Sequence, residues 1–374
     1  MISLDALSQI NRIIEHDKIS STYKFVLLKN TIDVCQRYDH LVTINKTMAT
    51  LPLGLIIEGW IFDYLPFVFS EIRQQHRGGT LRKPVELQYE ALFKDMGLSK
   101  ETTWNDAYAT IFTKYLTLEL TDKQSKIMLR LAGEIAKTII EMPMRFTGDN
   151  EYEIFQPHKT SFRNIPKNEN FNREFLIENF GSFSIKKEHY EIFRYMGQSL
   201  YGSSTIARRW KEVTYTLNQY NIQLDDIDKM IYKSIFDDRN TAIARKYLPN
   251  DCYCVWSGKK LKNGQYDIDH VLPYSIWFNN DLWNLLPCDP KINNKKSNNI
   301  PSPELILKQK DLIIVYWGLY ETKAPKLFNY QVKSSLLPTL DMKKTKYDII
   351  ETLCNKADYL IKERGFTPFK LNSI

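Results

Sequence analysis

The chain has 374 residues, 43% of them apolar and 25% charged, with 22 Tyr and 19 Phe. That composition suits a soluble globular protein and excludes broad disorder, and the length implies two or three folding units. The formal net charge of +7 suits a phosphate-bearing partner without identifying one.

Residues 1–75 read as helical. Ser21-Thr22 is a candidate cap for YKFVLLKNTIDVCQRY, where Phe25, Leu28, Ile32 and Cys35 recur at three-to-four spacing. The N-terminus, MISLDALSQINRIIEHDK, has no basic start followed by an apolar run, so no signal peptide is expected. The most apolar stretch, Leu51 to Ser70, is interrupted by Pro52, Glu58, Asp63 and Pro66. It reads as a buried core helix rather than a membrane span. Arg77-Gly78-Gly79 breaks the helical pattern.

Residues 102–145 resume an amphipathic series that includes KQSKIMLRLAGEIAKTIIEM. Residues 147–185 carry Gly148, Pro157, Pro166 and Gly181, and read as loops with short strands and a junction between units. Residues 187–248 return to helix. STIARRWKEVTYTLNQY opens at Ser204-Thr205, and DIDKMIYKSIFDDRNTAIARKYL follows as a second helix that Pro249-Asn250 ends. Arg208, Arg209 and Lys211 are a candidate strip for tracking DNA phosphates, with a solvated face as the alternative.

Residues 252–300 differ in kind. In CYCVWSGKKLKNGQYDIDHVLP, a turn at Lys262-Asn263-Gly264 lies between short β-prone runs, which is a hairpin signal. WNLLPCDPKINNKKSNN follows, with a turn at Cys288-Asp289-Pro290 and then a short polar helix. The local order is strand, strand, helix. Beyond Pro301, residues 303–316 and 345–363 again read as helical.

Hydrolysis of a phosphodiester needs an activated water, neutralisation of charge on phosphorus and stabilisation of the leaving oxygen. A divalent cation serves the last two and a neutral imidazole the first. Residues 267–297 hold such a set: the Asp269 carboxylate, the His270 imidazole and the carboxamides of Asn284, Asn293 and Asn294. A regular strand points Asp269 and His270 to opposite faces. Both reach one site only if the strand ends or bulges there, and Pro273 supports an end. Asp267 shares a face with Asp269 and reads as a solvated or turn-stabilising carboxylate, with a metal ligand as the alternative. Lys291, Lys295 and Lys296 are candidate phosphate contacts or a solvated helix face.

The five cysteines, Cys35, Cys252, Cys254, Cys288 and Cys354, are odd in number and scattered, as in a reduced cytosolic protein. The C-x-C spacing of Cys252 and Cys254, with Cys288 as a lone third, lacks the paired C-x₂-C units of structural zinc. Small core residues are expected there, and no structural zinc.

The segment DIDHVLPYSIWFNNDLWNLLPCDPKINNKKSNNIPSPE resembles the HNH nuclease motif, and is especially similar to the HNH domain of RNA-guided CRISPR effector nucleases. The matching residues are Asp269-His270 ahead of Pro273, then Asn284, then Asn293, then the tail Lys296-Ser297-Asn298-Asn299-Ile300-Pro301-Ser302. Cys254 to Gly258, CVWSG, is similar to the family's opening strand. The resemblance covers about 50 of 374 residues. It implies a DNA endonuclease in which His270 is the general base, Asp269 and Asn293 bind one Mg²⁺ or Mn²⁺, and Asn284 braces the loop through backbone hydrogen bonds. Products with 5′-phosphate and 3′-hydroxyl ends are expected.

The rest of the chain is too short for a guide duplex and a second nuclease domain, so RNA guidance is not expected. The N-terminal part, with TYKFVLL and GWIFDYLPF, is similar in flavour to stand-alone HNH proteins of bacterial restriction and phage defence. DNA is the implied partner, in the cytoplasm and away from membranes. Companion defence proteins and a homodimer stay open.

The expected fold class is mainly α, and α+β overall, with a small ββα-metal module. The expected segments are a helical N-terminal domain at 1–150, a loop-rich then helical region at 151–249, the nuclease module at 250–302 and a helical segment at 303–374. Two alternatives stand beside the enzyme: an inert nucleic-acid-binding adaptor with an HNH fold, and a structural-zinc protein that recognises DNA.

Overall fold

The computed structural model describes residues 3–16, 20–158, 171–201, 205–236, 241–262, 264–277, 279–337 and 345–371. It is mainly helical with small sheets, and the chain forms two compact units, Met1–Ser234 and Ile235–Ile374. The four segments parsed from the sequence thus fall into two units.

The first unit opens with α1 (Leu4–His16) and α2 (Tyr23–Arg37). α2 is buried on nearly every face, polar residues included. Thr22 precedes it but does not cap it through its side chain. Its hydroxyl crosses the core instead, to Tyr64 at 3.0 Å and Gln74 at 2.8 Å. β1 (Thr43–Ile44) and β2 (Met48–Pro52) lead into α3 (Leu53–Phe69).

α3 is the core helix that the apolar stretch predicts. Its two acids are buried and paired, which makes their burial tolerable. Asp63 accepts from Lys29 at 2.8 Å and from Asn30 at 2.8 Å. Glu58 accepts from Arg173 at 2.8 Å and from Tyr115 at 2.9 Å. No helix among the described residues is long and apolar enough to cross a membrane.

α4 (Lys83–Asp95), α5 (Trp104–Leu116) and α6 (Asp122–Ile139) follow, the last started by a capping box between Thr121 and Gln124. β3 (Gln156–Pro157), α7 (Arg173–Asn179) and β4 (Ser182–Lys186) come next. The sheet runs β1-β2-β4-β3 and is antiparallel throughout. β4 pairs with β2 from Met48↔Lys186 to Pro52↔Ser182. Through that pairing the end of residues 147–185, a stretch expected to hold a junction between units, joins the sheet of the first unit. Pro166 lies outside the described residues. α8 (Lys187–Tyr201), α9 (Ile206–Leu217) and α10 (Leu224–Phe236) complete the order, with Ser204 outside the described residues.

Gly54 shows how tightly α3 and α7 approach. A Cβ there would stand 2.1 Å from the backbone oxygen of Leu176, which has no flexible end to move aside. Gly54→Ala is expected to cost about 1–3 kcal/mol through overpacking. Thermal unfolding checks this, and a melt indistinguishable from wild type would contradict the close approach.

The second unit contains α11 (Ala242–Tyr247), β5 (Cys252–Tyr253), β6 (Lys260–Leu261), β7 (Asp267–His270), α12 (Tyr274–Trp277), β8 (Leu285–Cys288) and α13 (Pro290–Lys296). β9 (Ile300–Pro301), α14 (Pro303–Lys308), α15 (Lys310–Lys323), α16 (Pro325–Ser335), α17 (Lys346–Lys362) and β10 (Pro368–Phe369) follow. The second helix expected before Pro249 is two helices, α10 and α11, with residues 237–240 outside the described set.

The hairpin expected around Asn263-Gly264 does not form. β6 pairs back with β5, and β7 pairs forward with β8, both antiparallel. The segment joins two small sheets, and Asn263 itself lies outside the described residues. β9 and β10 pair in parallel.

Candidate active site

β7 and β8 pair in the register Asp267↔Cys288, Ile268↔Pro287, Asp269↔Leu286 and His270↔Leu285. One more bond, from the Val271 N–H to the Asn284 carbonyl at 2.8 Å, closes the pair. β7 ends at His270, as its place before Pro273 suggests. α13 starts at Pro290, where the Asp289 side chain accepts from the Lys291 N–H at 2.8 Å. It stops at Ser297, whose φ of 48° lies in the left-handed region. β7, β8 and α13 follow one another along the chain, with α13 packed on β7.

Asp269 and His270 are 3% and 1% exposed. Alternation along β7 puts Asp267 and Asp269 on one face and His270 on the other. α13 covers the carboxylate face. Asn293 Nδ2 donates to Asp267 Oδ2 at 2.9 Å. Three residues on, Lys296 Nζ donates to Asp269 Oδ1 at 3.0 Å and to the His270 carbonyl at 2.7 Å. Trp256 Nε1 donates to the other Asp269 oxygen at 2.6 Å. Asp269 is therefore held from both sides, by a buried ammonium and an indole.

On the opposite face, His270 Nε2 lies 2.9 Å from Asn280 Oδ1, and its ring stands 5.4 Å from that of Tyr274. A carboxamide oxygen only accepts, so this bond places the ring proton on Nε2. In the neutral imidazole the lone pair then sits on Nδ1.

Asn284 is wholly buried in a tight helical turn, Leu282–Asn284. Its Oδ1 accepts from the Leu272 N–H at 2.8 Å. Its Nδ2 donates to the carbonyls of Leu272 and Asn279, both at 3.0 Å. All three bonds go to backbone on the segment that joins β7 to β8. Asn284→Ala removes them and strands buried polar groups, so a loss of about 2–4 kcal/mol is expected, with lowered activity. Calorimetry and kinetics that both match wild type would rule out this bracing.

A second buried group supports the same segment. Asp281 accepts from Asn279 at 2.7 Å, from Trp283 at 3.2 Å and from the Ser335 hydroxyl. The Leu282 N–H donates to Gln331 at 2.9 Å. Trp317 and Tyr320, on α15, donate to the carbonyls of Trp283 and Leu285 at 2.9 and 2.6 Å.

The remaining candidates divide. Lys291, Asn294 and Lys295 are exposed on α13. Lys296 is 0% exposed and paired with Asp269, so the surface phosphate contact expected of it gives way to an internal ion pair. Arg208 and Arg209 lie in the first unit, each ion-paired with Glu15 and Glu212. Lys211 pairs with Asp228 at 2.8 Å. These carboxylates offset the charge of the expected phosphate strip. Cys254 and Cys288 are buried with sulfurs 3.8 Å apart. Their shared hydrogen bond holds the Cys254 thiol below its ordinary pKa and Cys288 above it. Among the described residues, no three His, Cys, Asp or Glu side chains group as metal ligands.

Trp256, Asn280 and the inward turn of Lys296 escape the sequence reading. Trp256 does stand in CVWSG, the segment similar to an HNH opening strand, which is a usable signal. Asn279-Asn280-Asp281 looks like an ordinary polar loop.

Comparison with known families gives two matches. A family described as a domain of unknown function, DUF8808, matches residues 3–231, more than half of the chain. The chain belongs to the DUF8808 family. The DUF8808 region ends close to the boundary of the first unit at Ser234. In this DUF8808 protein a second family, described as HNH endonuclease, matches residues 254–302, which contain β7, β8 and α13. That match suggests nuclease activity on nucleic acid. No curated protein and no solved structure matches the chain.

Proposed function

We propose that this DUF8808 protein is an endonuclease that hydrolyses DNA phosphodiester bonds, with residues 254–302 as its catalytic part. One observation carries the reading. Within the HNH match, one strand–strand–helix unit carries Asp269 and Asn293 on the face that α13 covers and His270 on the opposite face at the end of the same strand, and Asn284 braces its connection.

A hard divalent cation, Mg²⁺ or Mn²⁺, takes oxygen ligands. Asp267, Asp269 and Asn293 lie on the face of β7 that α13 covers, where Asn293 Nδ2 donates to Asp267 and the Asp269 oxygens accept from Trp256 and Lys296, so an ion there would have to displace these donors. Asp269 and Asn293 are the residues that would hold it, and when bound it supplies positive charge to the phosphate. The other roles belong to the chain. His270, with its proton fixed on Nε2 by Asn280, accepts a proton from water at Nδ1. Lys296 and Trp256 hold the Asp269 carboxylate oriented. Lys291 and Lys295, exposed on α13, contact flanking phosphates. One such site cuts one strand, so a double-strand break takes two copies or two successive nicks.

Plasmid nicking with and without Mg²⁺ tests the proposal. Metal-dependent conversion of supercoiled to open-circular plasmid is expected, and plasmid left intact under every divalent metal would sink it. The second reading is an adaptor that binds nucleic acid without cutting. It is favoured by the engagement of both Asp269 oxygens with internal donors. DNA binding with no nicking is its signature.

A further inference from the structure

The loop after α3 has no part in the site above. Between Glu71 and Glu86 the chain carries Arg73, Arg77, Arg82 and Lys83 and no acidic residue. Several arginines of the first unit are ion-paired: Arg12 with Asp149, Arg145 with Glu151, Arg173 with Glu58 and Arg208 with Glu15, while exposed Arg130 stands in no ion pair among the described residues. Arg82 follows that habit and pairs with Glu141. Arg73 and Arg77 do not. Their side chains are exposed and stand in no ion pair among the described residues, and His76 and Gly78-Gly79 beside them are exposed too.

This loop is anchored on three sides. The Ile72 N–H bonds to the Phe67 carbonyl at 2.8 Å, and the Gln74 N–H to the Thr80 carbonyl at 2.9 Å. Gln74 and His76 bond to backbone at Thr22 and Ser20. Asn218, at the end of α9, clamps Arg73 by both its N–H, at 2.9 Å, and its carbonyl, at 3.0 Å. Beneath the loop Gln74 is wholly buried, and its Oε1 accepts from Thr22 at 2.8 Å and from Trp210 at 2.9 Å. Gly78 takes the left-handed φ of 90° at the turn, and a Cβ at Gly79 would displace the Glu86 carboxylate, 2.3 Å away. The fold thus fixes the backbone firmly while leaving two guanidiniums without an internal partner.

From this arrangement we propose that the 73–79 loop is a docking site for the phosphate backbone of duplex DNA, with Arg73 and Arg77 contacting phosphates independently of sequence. Four residues of chain span at most about 14 Å. Arg73 and Arg77 therefore leave the backbone within a few phosphate spacings of a strand that carries a charge about every 3.4 Å. A fixed loop loses little conformational entropy on binding, which favours contact over a mobile arm. The choice of DNA as the polyanion rests on the nuclease reading, but the contact itself needs no cleavage.

The test is binding of the full chain to a labelled 30-base-pair duplex, followed by fluorescence anisotropy across a salt series. Wild type is compared with Arg73→Gln/Arg77→Gln and Arg73→Lys/Arg77→Lys, all also carrying His270→Ala so that no DNA is cut. The glutamine pair is expected to bind about tenfold more weakly near 0.1 M salt, with a log K against log salt slope shallower by about 2. The lysine pair is expected to keep most of that slope. Unchanged affinity and slope in the glutamine pair would overturn the assignment, as would a wild type that binds no duplex. Stronger, arginine-dependent binding to single-stranded DNA or RNA would overturn the choice of duplex. Nicking by the otherwise wild-type chain is scored separately. If it fails while the arginine effect persists, the nuclease reading falls and the docking loop stands.

Discussion

His270→Ala is expected to lower nicking by roughly 10²–10⁴-fold, the usual contribution of a positioned general base, while leaving DNA affinity unchanged. The reasoning starts from one bond. Nε2 faces the Asn280 oxygen, so the basic nitrogen of the neutral ring is Nδ1. Alanine removes that acceptor and touches neither Asp269 nor Asn293. Because the ring is 1% exposed, its removal also opens a cavity, and a melt must accompany the assay. His270→Gln separates the two effects. Glutamine can still donate to Asn280 but has no basic nitrogen, so a comparable loss of nicking with a smaller change in melting is expected. Wild-type rates in either variant would contradict the assignment of the base.

The largest effect on stability is expected at Lys296. Its ammonium and the Asp269 carboxylate are 1% and 4% exposed and 3.0 Å apart. Lys296→Ala removes the ammonium from that buried carboxylate, while the Trp256 indole bond remains. Removing one partner of a buried pair costs about 3–5 kcal/mol. The His270 carbonyl loses a donor as well, which loosens the end of β7. Urea unfolding measures the effect. Asp269→Asn combined with Lys296→Met should cost clearly less than the sum of the single changes, because no charge is then stranded. Additive losses, or a Lys296→Ala midpoint within error of wild type, would mean that the pair does not act as a unit.

Lys296 also marks the limit of what the sequence discloses. In INNKKSNN, Lys295 and Lys296 look alike, and a run of charge on a short helix normally faces water. One of them is exposed and the other is buried. The difference lies with Asp269, 27 residues earlier, and appears only once α13 packs on β7. Local pattern reports element type well. α3 was legible because its interrupting acids ruled out a membrane span, and β7, β8 and α13 because turn residues punctuate them. Pairing is a tertiary property. Asn263-Gly264 carried a strong hairpin signal, yet β6 found its partner behind it and β7 ahead of it. Asn284 makes three bonds to backbone, and the polar run at Asn279 to Asp281 gave no hint in the sequence of its own network.

The pairing of β9 with β10 has a bearing on how the HNH-matching segment can be handled as a piece. The Ile300 N–H reaches the Thr367 carbonyl, and the Ser302 N–H reaches that of Phe369. The strand just past α13 is thereby zipped to chain almost seventy positions later, and the helices in between supply the indole and phenol donors behind β8. A minimal fragment of the HNH region for fusion or crystallography is therefore expected to need the chain through Phe369. Trimming to the recognisable motif would remove the back wall against which that motif is built.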